Sequence, residues 1–199
     1  MTLMDRRRAL MENDVLWEWV PSKGLSNITV TASSGYTPSY ELRSDCIRLK
    51  GPHATDLKQT NIVITNPPRI PSKVWFEVSV KNFPSTGSTN SAAACYLRGN
   101  LAGNIIYSYV CGAPSENSRN VLIRGANLNR QSISTIPTEF TQKLLVDTPN
   151  NIATAYLPGN IVLTDSLGAA NYYPWIVSFE ARSANYVDVT KIVIRRAKA

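Results

Sequence analysis

Histidine is nearly absent from the sequence, because His53 is the only one among 199 residues. Cysteine is scarce as well: Cys46, Cys95 and Cys111 are an odd number, and no two of them have the CxxC spacing. Structural zinc sites are built from four Cys or His ligands, so this composition argues against one. We expect buried, reduced thiols, although a Cys95–Cys111 bridge between neighbouring strands stays open.

Sequence motifs of catalysis are also missing. There is no GxSxG, P-loop, HExxH or EF-hand segment. A Ser-His-Asp or Cys-His arrangement would have to use His53, which lies in the loop-like stretch KGPHATD. Glycan hydrolysis needs two opposed carboxylates, whereas Glu77 and Glu180 occupy polar positions of strands and are expected on solvated sheet surfaces. We therefore predict no catalytic residue and no enzyme.

No apolar run is long enough to cross a membrane, and no secretory signal follows the basic residues 6–8. We expect a protein that is made in a cytoplasm and has no membrane partner. The 21 Lys and Arg exceed the 14 Asp and Glu and give a net charge of +7. That balance permits weak attraction to polyanions such as nucleic acid, teichoic acid or sulfated glycan.

Alternation of apolar and polar residues dominates the sequence from Val15 onward. The clearest case is KVWFEVSVK (73–81), whose even-numbered residues share an apolar face, and PWIVSFEAR (174–182) shows the same period. About a dozen such segments recur with turn residues between them. They predict an all-β fold, an antiparallel β-sandwich of jelly-roll type over residues 15–199, whose first and last strands pair.

Two further features of the alternation are specific enough to check. Segments 92–98 and 104–110 flank the short link GNLAG, which predicts a β-hairpin. The segment YVDVTKIVIRR (186–196) changes its apolar phase between Val189 and Ile192, as a β-bulge would.

Residues 1–14 differ from the rest and predict a short helical arm. A helical wheel places one stripe of candidate docking residues together: Leu3, Met4, Arg7, Leu10 and Met11. Such a short helix is ordered only when it docks. It could pack on its own sandwich or on another chain. Nucleic-acid binding by residues 6–8 is disfavoured because nearby acids make the segment almost neutral, so we predict no nucleic-acid partner.

The segment TLMDRRRALM (residues 2–11) resembles the opening of predicted tail-associated structural proteins of phages and prophages of Gram-positive bacteria. In those proteins a DRRRALM segment precedes a β-sandwich of lectin or carbohydrate-binding-module type. The resemblance implies a non-enzymatic virion protein of the tail, baseplate or fibre. Its arm would dock on other virion proteins or on copies of itself, giving a homo-oligomer, and its body could recognise host-surface carbohydrate.

Two other functions remain open. One is a carbohydrate-binding module of a polysaccharide-degrading system, and the other is a capsid decoration protein that binds no ligand. Deletion of the arm and a glycan screen of the body would distinguish them.

Aromatic residues are the candidate glycan contacts, because sugar rings stack on exposed aromatic planes. Tyr107 and Tyr109 share one face of a strand, and Tyr172, Tyr173 and Trp175 form a cluster in the sequence. The competing interpretation places each of them in the core. Acids that could bind a metal are scattered singly, so we predict no metal site and no cofactor: Asp45, Asp56, Asp165 and Asp188.

Overall fold

The computed structural model describes residues 14–69, 71–84, 94–100, 105–112, 119–167, 175–182 and 184–197. For residues 94–100 and 105 it describes the backbone alone. These ranges contain a 3-10 turn, Pro21–Lys23, and fifteen strands. The strands are β1 Val15–Trp19, β2 Ile28–Ala32, β3 Ser39–Leu42, β4 Ile47–Lys50, β5 Lys58–Ile64, β6 Lys73–Lys81, β7 Ala94–Asn100, β8 Ile105–Gly112, β9 Arg119–Arg124, β10 Leu128–Ser132, β11 Phe140–Asp147, β12 Ile152–Leu157, β13 Ile161–Ser166, β14 Trp175–Ala181 and β15 Tyr186–Arg196.

The strands form two antiparallel sheets. Sheet A has the order β13-β12-β11-β6-β15-β4-β3, and β1 joins it by pairing with β15. Sheet B has the order β10-β9-β8-β7-β14-β5-β2. The predicted antiparallel β-sandwich is confirmed, as is the pairing of its first and last strands. The finer jelly-roll topology stays a prediction, and residues 1–13 of the predicted arm lie outside the described residues.

The core lies between the two sheets and follows the predicted alternation. In β6 the even-numbered residues are buried and their neighbours are partly exposed. In β14 the buried residues Trp175, Val177 and Phe179 face sheet A. The ring of Phe76 meets the edge of the Trp175 ring at a centroid distance of 5.0 Å, so these two side chains join the sheets. One buried hydrogen bond also crosses the core, from Gln142 Nε2 to Ser108 Oγ at 2.8 Å.

The predicted bulge and hairpin are both present. The pairing of β15 with β6 shifts register between Val189 and Lys191, which confirms the bulge. Strands β7 and β8 pair antiparallel, which confirms the hairpin. Their register sets Cys111 opposite Ala94, and the Cys111 thiol is not in a disulfide, so the alternative of a Cys95–Cys111 bridge is excluded.

A buried ion pair fixes the outer face of sheet A where β4, β6 and β15 meet. Asp188 is only 1% exposed, and its two oxygens accept hydrogen bonds of 2.7 and 2.8 Å from the guanidinium of Arg48. Asn82 donates a third bond of 2.7 Å, and the Arg48 guanidinium lies 3.7 Å from the ring centroid of Tyr186. Burial raises the pKa of Asp188, but these hydrogen bonds outweigh it and hold the pKa below its ordinary value.

No helix within the described ranges is long and apolar enough to span a membrane. Within the same ranges, no three His, Cys, Asp or Glu side chains come together as metal ligands. The scattered aspartates are instead used by the fold: Asp188 binds Arg48, and Asp45 pairs with Lys81.

Candidate functional site

Tyr107 and Tyr109 lie on the outer face of sheet B, which points away from the core. Their neighbours in β8, Ile106, Ser108 and Val110, are buried on the inner face, whereas both tyrosines are partly exposed. The two ring centroids are 6.3 Å apart and the ring planes are inclined by 36°. The prediction that these two residues share one strand face is confirmed, and they form a small aromatic platform.

Polar side chains of β5 and β14 lie on the same outer face. Gln59 Nε2 donates a 2.9 Å hydrogen bond to a carboxylate oxygen of Glu180. Asn61 pairs in register with Ser178, and both are buried although they point away from the core. This face therefore combines amide, carboxylate and hydroxyl groups with the aromatic platform. None of these four polar residues stood out in the sequence as a ligand contact.

The hairpin of β9 and β10 adds two arginines beside the tyrosines. Arg124 pairs in register with Tyr107, and Arg130 pairs with Leu122, which in turn pairs with Tyr109. Both arginines are exposed. Strand β10 has no alternation that predicts it, because all five of its residues are exposed and four are polar.

Asp165 holds this hairpin in place from the other sheet. Its carboxylate accepts hydrogen bonds from the backbone N–H groups of Gly125 (2.8 Å), Asn127 (3.0 Å) and Ser166 (2.7 Å). Burial raises the pKa of Asp165, but the hydrogen bonds that its carboxylate accepts outweigh burial. The pKa of Asp165 therefore lies below its ordinary value. A Cβ atom at Gly125 would lie 2.1 Å from the carbonyl oxygen of Ser166, so only glycine fits the turn.

The two acids that sequence reasoning placed on sheet surfaces lie on opposite sides of the molecule. Glu180 is on the outer face of sheet B, while Glu77 is on the outer face of sheet A, where Arg195 lies 3.3 Å away. Hydrolysis of a glycosidic bond requires two carboxyl groups within about 5–10 Å. Among the described residues of the sheet B outer face, Glu180 is the sole carboxylate. His53 lies in a half-exposed loop, 3.6 Å from Asp56.

The other predicted contact residues have different outcomes. Trp175 is 0% exposed and packs on Phe76, so its prediction as a glycan contact is wrong, because its alternation with Val177 and Phe179 places it in the core. The predicted contacts Tyr172 and Tyr173 lie outside the described residues. So does the whole predicted docking stripe: Leu3, Met4, Arg7, Leu10 and Met11.

A second surface, which we call the apolar patch, lies on the outer face of sheet A. Its apolar residues are Trp75, Leu145, Ile152, Tyr156 and Val162, and Thr154 separates Ile152 from Tyr156 along β12. The rings of Trp75 and Tyr156 are in contact at a centroid distance of 5.2 Å. Val162 is 53% exposed and Ile152 is 39% exposed, so apolar area faces solvent. Exposed apolar patches on a sheet are typical of protein interaction sites.

Solved structures share this architecture. The chain superposes on the CBM2 module of the evolved Dit of Lactobacillus casei BL23 phage J-1 with a TM-score of 0.64 and 8% identity, over 94% of this chain and 97% of that one. For the metal-free carbohydrate recognition domain of Emp46p the TM-score is 0.61 and the identity 11%, over 96% and 98% of the two chains. For a Bacillus licheniformis β-glucanase they are 0.56 and 10%, over 92% and 98%.

At these identities the likeness shows the fold, which is a β-sandwich of the lectin and carbohydrate-binding-module type. No family model matches the sequence, and no curated protein does. The resemblance of residues 2–11 to phage structural proteins stays a prediction.

Proposed function

We propose that the protein is a non-enzymatic carbohydrate-binding component of a phage virion, associated with the tail, and that its glycan surface is the outer face of sheet B. The observation that carries the proposal is the platform of Tyr107 and Tyr109 set among polar side chains. The similarity to a carbohydrate-binding module of a phage Dit supports both the ligand class and the tail. Glu180 is the single carboxylate among the described residues of this face, which favours binding without hydrolysis.

Recognition would combine stacking with hydrogen bonds. The two tyrosine rings offer apolar planes to the apolar faces of sugar rings. Burial raises the pKa of Tyr109 to about 12, with smaller contributions from Cys111 and Tyr107, so its hydroxyl stays protonated at neutral pH and can donate. The partly exposed amide of Gln59 lies on the same face three strands away, where it can meet hydroxyls of a longer glycan.

Replacing Tyr107 and Tyr109 together with alanine should weaken binding to the recognised glycan about 100-fold, because each lost ring removes roughly 1.5 kcal/mol or more of apolar contact. The ligand is first found by screening the purified protein on an array of bacterial cell-wall polysaccharides and plant and fungal glycans. Affinities for the variant are then measured by titration calorimetry.

The matched control replaces Tyr40 and Leu42, two exposed residues of β3 that belong to neither surface, with alanine. This variant should keep full glycan affinity. Equal losses in both double variants would place the glycan elsewhere, and a protein that binds no glycan on the array would have a purely architectural role.

We also propose that residues 1–14 attach the domain to neighbouring subunits. The backbone N–H of Arg196 donates to the carbonyl of Asp14 at 2.9 Å, and Val15 pairs with Arg195, so the segment joins the sandwich at sheet A. The apolar patch is on that sheet, and it is about 15 Å wide because β6, β11, β12 and β13 span three strand spacings. A helix of 13 residues is about 20 Å long, enough for the arm of a second copy to cover it.

Deleting residues 1–13 should convert the oligomer to monomers without unfolding the sandwich, and replacing Ile152 and Val162 with serine should do the same. Light scattering coupled to size-exclusion chromatography measures the mass, and circular dichroism checks the fold. An unchanged mass in the deletion variant would show that the arm does not hold the oligomer together.

A further inference from the structure

Arg124 and Arg130 form a pair of neighbouring cations on the outer face of sheet B. Arg124 of β9 is directly opposite Leu128 of β10, and Arg130 is two residues after Leu128 in β10. Diagonal neighbours of this kind have their side chains about 7–8 Å apart on one face. Two long guanidinium side chains at that spacing can reach a single anion.

Neither arginine is neutralised by the part of the chain that the structure describes. Arg124 and Arg130 make no ion pair or hydrogen bond with any described residue, whereas Arg43, Arg48 and Arg195 each have a carboxylate partner. The acid of the same face, Glu180, is on β14, three strands away from β9. Three strand spacings are about 14 Å, which exceeds the screening length of roughly 8 Å in physiological salt.

The hairpin that carries the arginine pair is anchored to the other sheet, and the pair borders the aromatic platform. Asp165 fixes the backbone of the turn between β9 and β10. The side-chain amides of Asn127 and Asn129 bind the Asp165 carboxylate and the Thr164 carbonyl, and so tie the same hairpin to β13. Because Tyr107 is the direct cross-strand neighbour of Arg124, an anion held by the arginines would adjoin a sugar ring stacked on Tyr107.

We propose that the glycan bound on this face is anionic, a polysaccharide whose repeat carries a phosphodiester or carboxylate group that Arg124 and Arg130 bind together. This inference rests on the proposed function and adds the charge of the ligand. Guanidinium groups match both anions, since their planar N–H groups form paired hydrogen bonds with two oxygens. The aromatic platform distinguishes such a glycan from a bare polyanion, because it also requires a sugar face for stacking.

The experiment compares four probes: poly(glycerol phosphate) teichoic acid that carries glucosyl substituents, polygalacturonate, fully methyl-esterified polygalacturonate and single-stranded DNA. The esterified polymer keeps the sugar backbone and removes the charge. We expect binding to at least one of the first two and at least 10-fold weaker binding to the other two. The double variant Arg124→Gln/Arg130→Gln should weaken binding to the anionic polymer by at least about 100-fold, since one charge-assisted hydrogen bond is worth roughly tenfold or more in affinity.

Two further variants separate specific from general charge effects. Arg124→Lys/Arg130→Lys keeps the charge but loses the planar fork, and should recover only part of the affinity. Lys143→Gln removes a positive charge from the opposite face of the sandwich and should have no effect.

Each other outcome counts against a defined part of the idea. Suppose that the protein binds esterified and free polygalacturonate equally well, and that the tyrosine variant loses this binding while the arginine variant keeps it. The proposed function would then stand, and the anionic ligand would be overturned. Suppose that DNA binds as tightly as the anionic glycans and that only the arginine variant loses this binding. That result would overturn the glycan as the source of the anion. Binding to neither the four probes nor the array would overturn the proposed function and this inference together.

Discussion

Replacing Asp188 with alanine is expected to lower the free energy of unfolding by about 3–5 kcal/mol, because it leaves the largely buried guanidinium of Arg48 without its carboxylate. The side chain of Arg48 is 14% exposed and that of Asp188 is 2% exposed, so water can replace little of the lost interaction. Urea unfolding followed by tryptophan fluorescence measures the change. The matched control is Asp45→Ala, which breaks the exposed pair with Lys81 and should leave the free energy of unfolding almost unchanged.

The same carboxylate makes stability depend on pH in a defined direction. The pKa of Asp188 in the folded state lies below its ordinary value of 3.8. Its stabilisation is therefore complete above that value and is lost as the pH falls through the folded pKa. The Asp188→Asn variant should show a shallower loss of stability than the parent protein between about pH 5 and pH 2. Equal slopes for the two proteins would mean that Asp188 is not the group that titrates.

Replacing Trp175 with alanine is expected to lower the free energy of unfolding by roughly 3–5 kcal/mol and the melting temperature by about 10 °C, because it empties a large volume in the core. Differential scanning calorimetry measures both. Trp175→Phe is the control: it keeps an aromatic ring against Phe76, and the indole Nε1 it removes is buried with no partner in the described part of the chain. We expect that variant to lose less than about 1.5 kcal/mol.

The Trp175→Ala variant also separates the two interpretations of this residue. Below its melting temperature, it should bind glycan as the parent does, since Trp175 is sealed between the sheets. A glycan affinity that falls while the melting temperature is unchanged would restore Trp175 as a surface contact.

Local alternation was a reliable guide wherever one strand face is apolar and the other is polar. Strand β6 has the predicted bounds and the predicted buried face, and the phase change in β15 marks a real bulge. Both features are set by the contrast between neighbouring side chains. The tyrosines of β8 were identified in the same way, since Ile106 and Val110 on the other face are apolar.

The remaining parts of the site depend on pairing, which a single sequence does not encode locally. Strand β10 is polar at four of its five positions and forms because it pairs with the edge of β9. The position of Arg130, two strands from Tyr109, therefore had no local signal. The cluster around Trp175 was misleading for a related reason. Three nearby aromatic residues suggested a binding surface, whereas the alternation along β14 places Trp175 on the buried face.

The central position of β15 has a consequence for how the protein reaches its native state. This strand contacts β1, β4 and β6 at once, and Val15 lies opposite Arg195 across 180 positions of sequence. Contacts of such long range slow the search for the native topology. Sheet A cannot form completely until residues 186–196 have been synthesised. Until then β1, β4 and β6 lack the strand that pairs with all three of them.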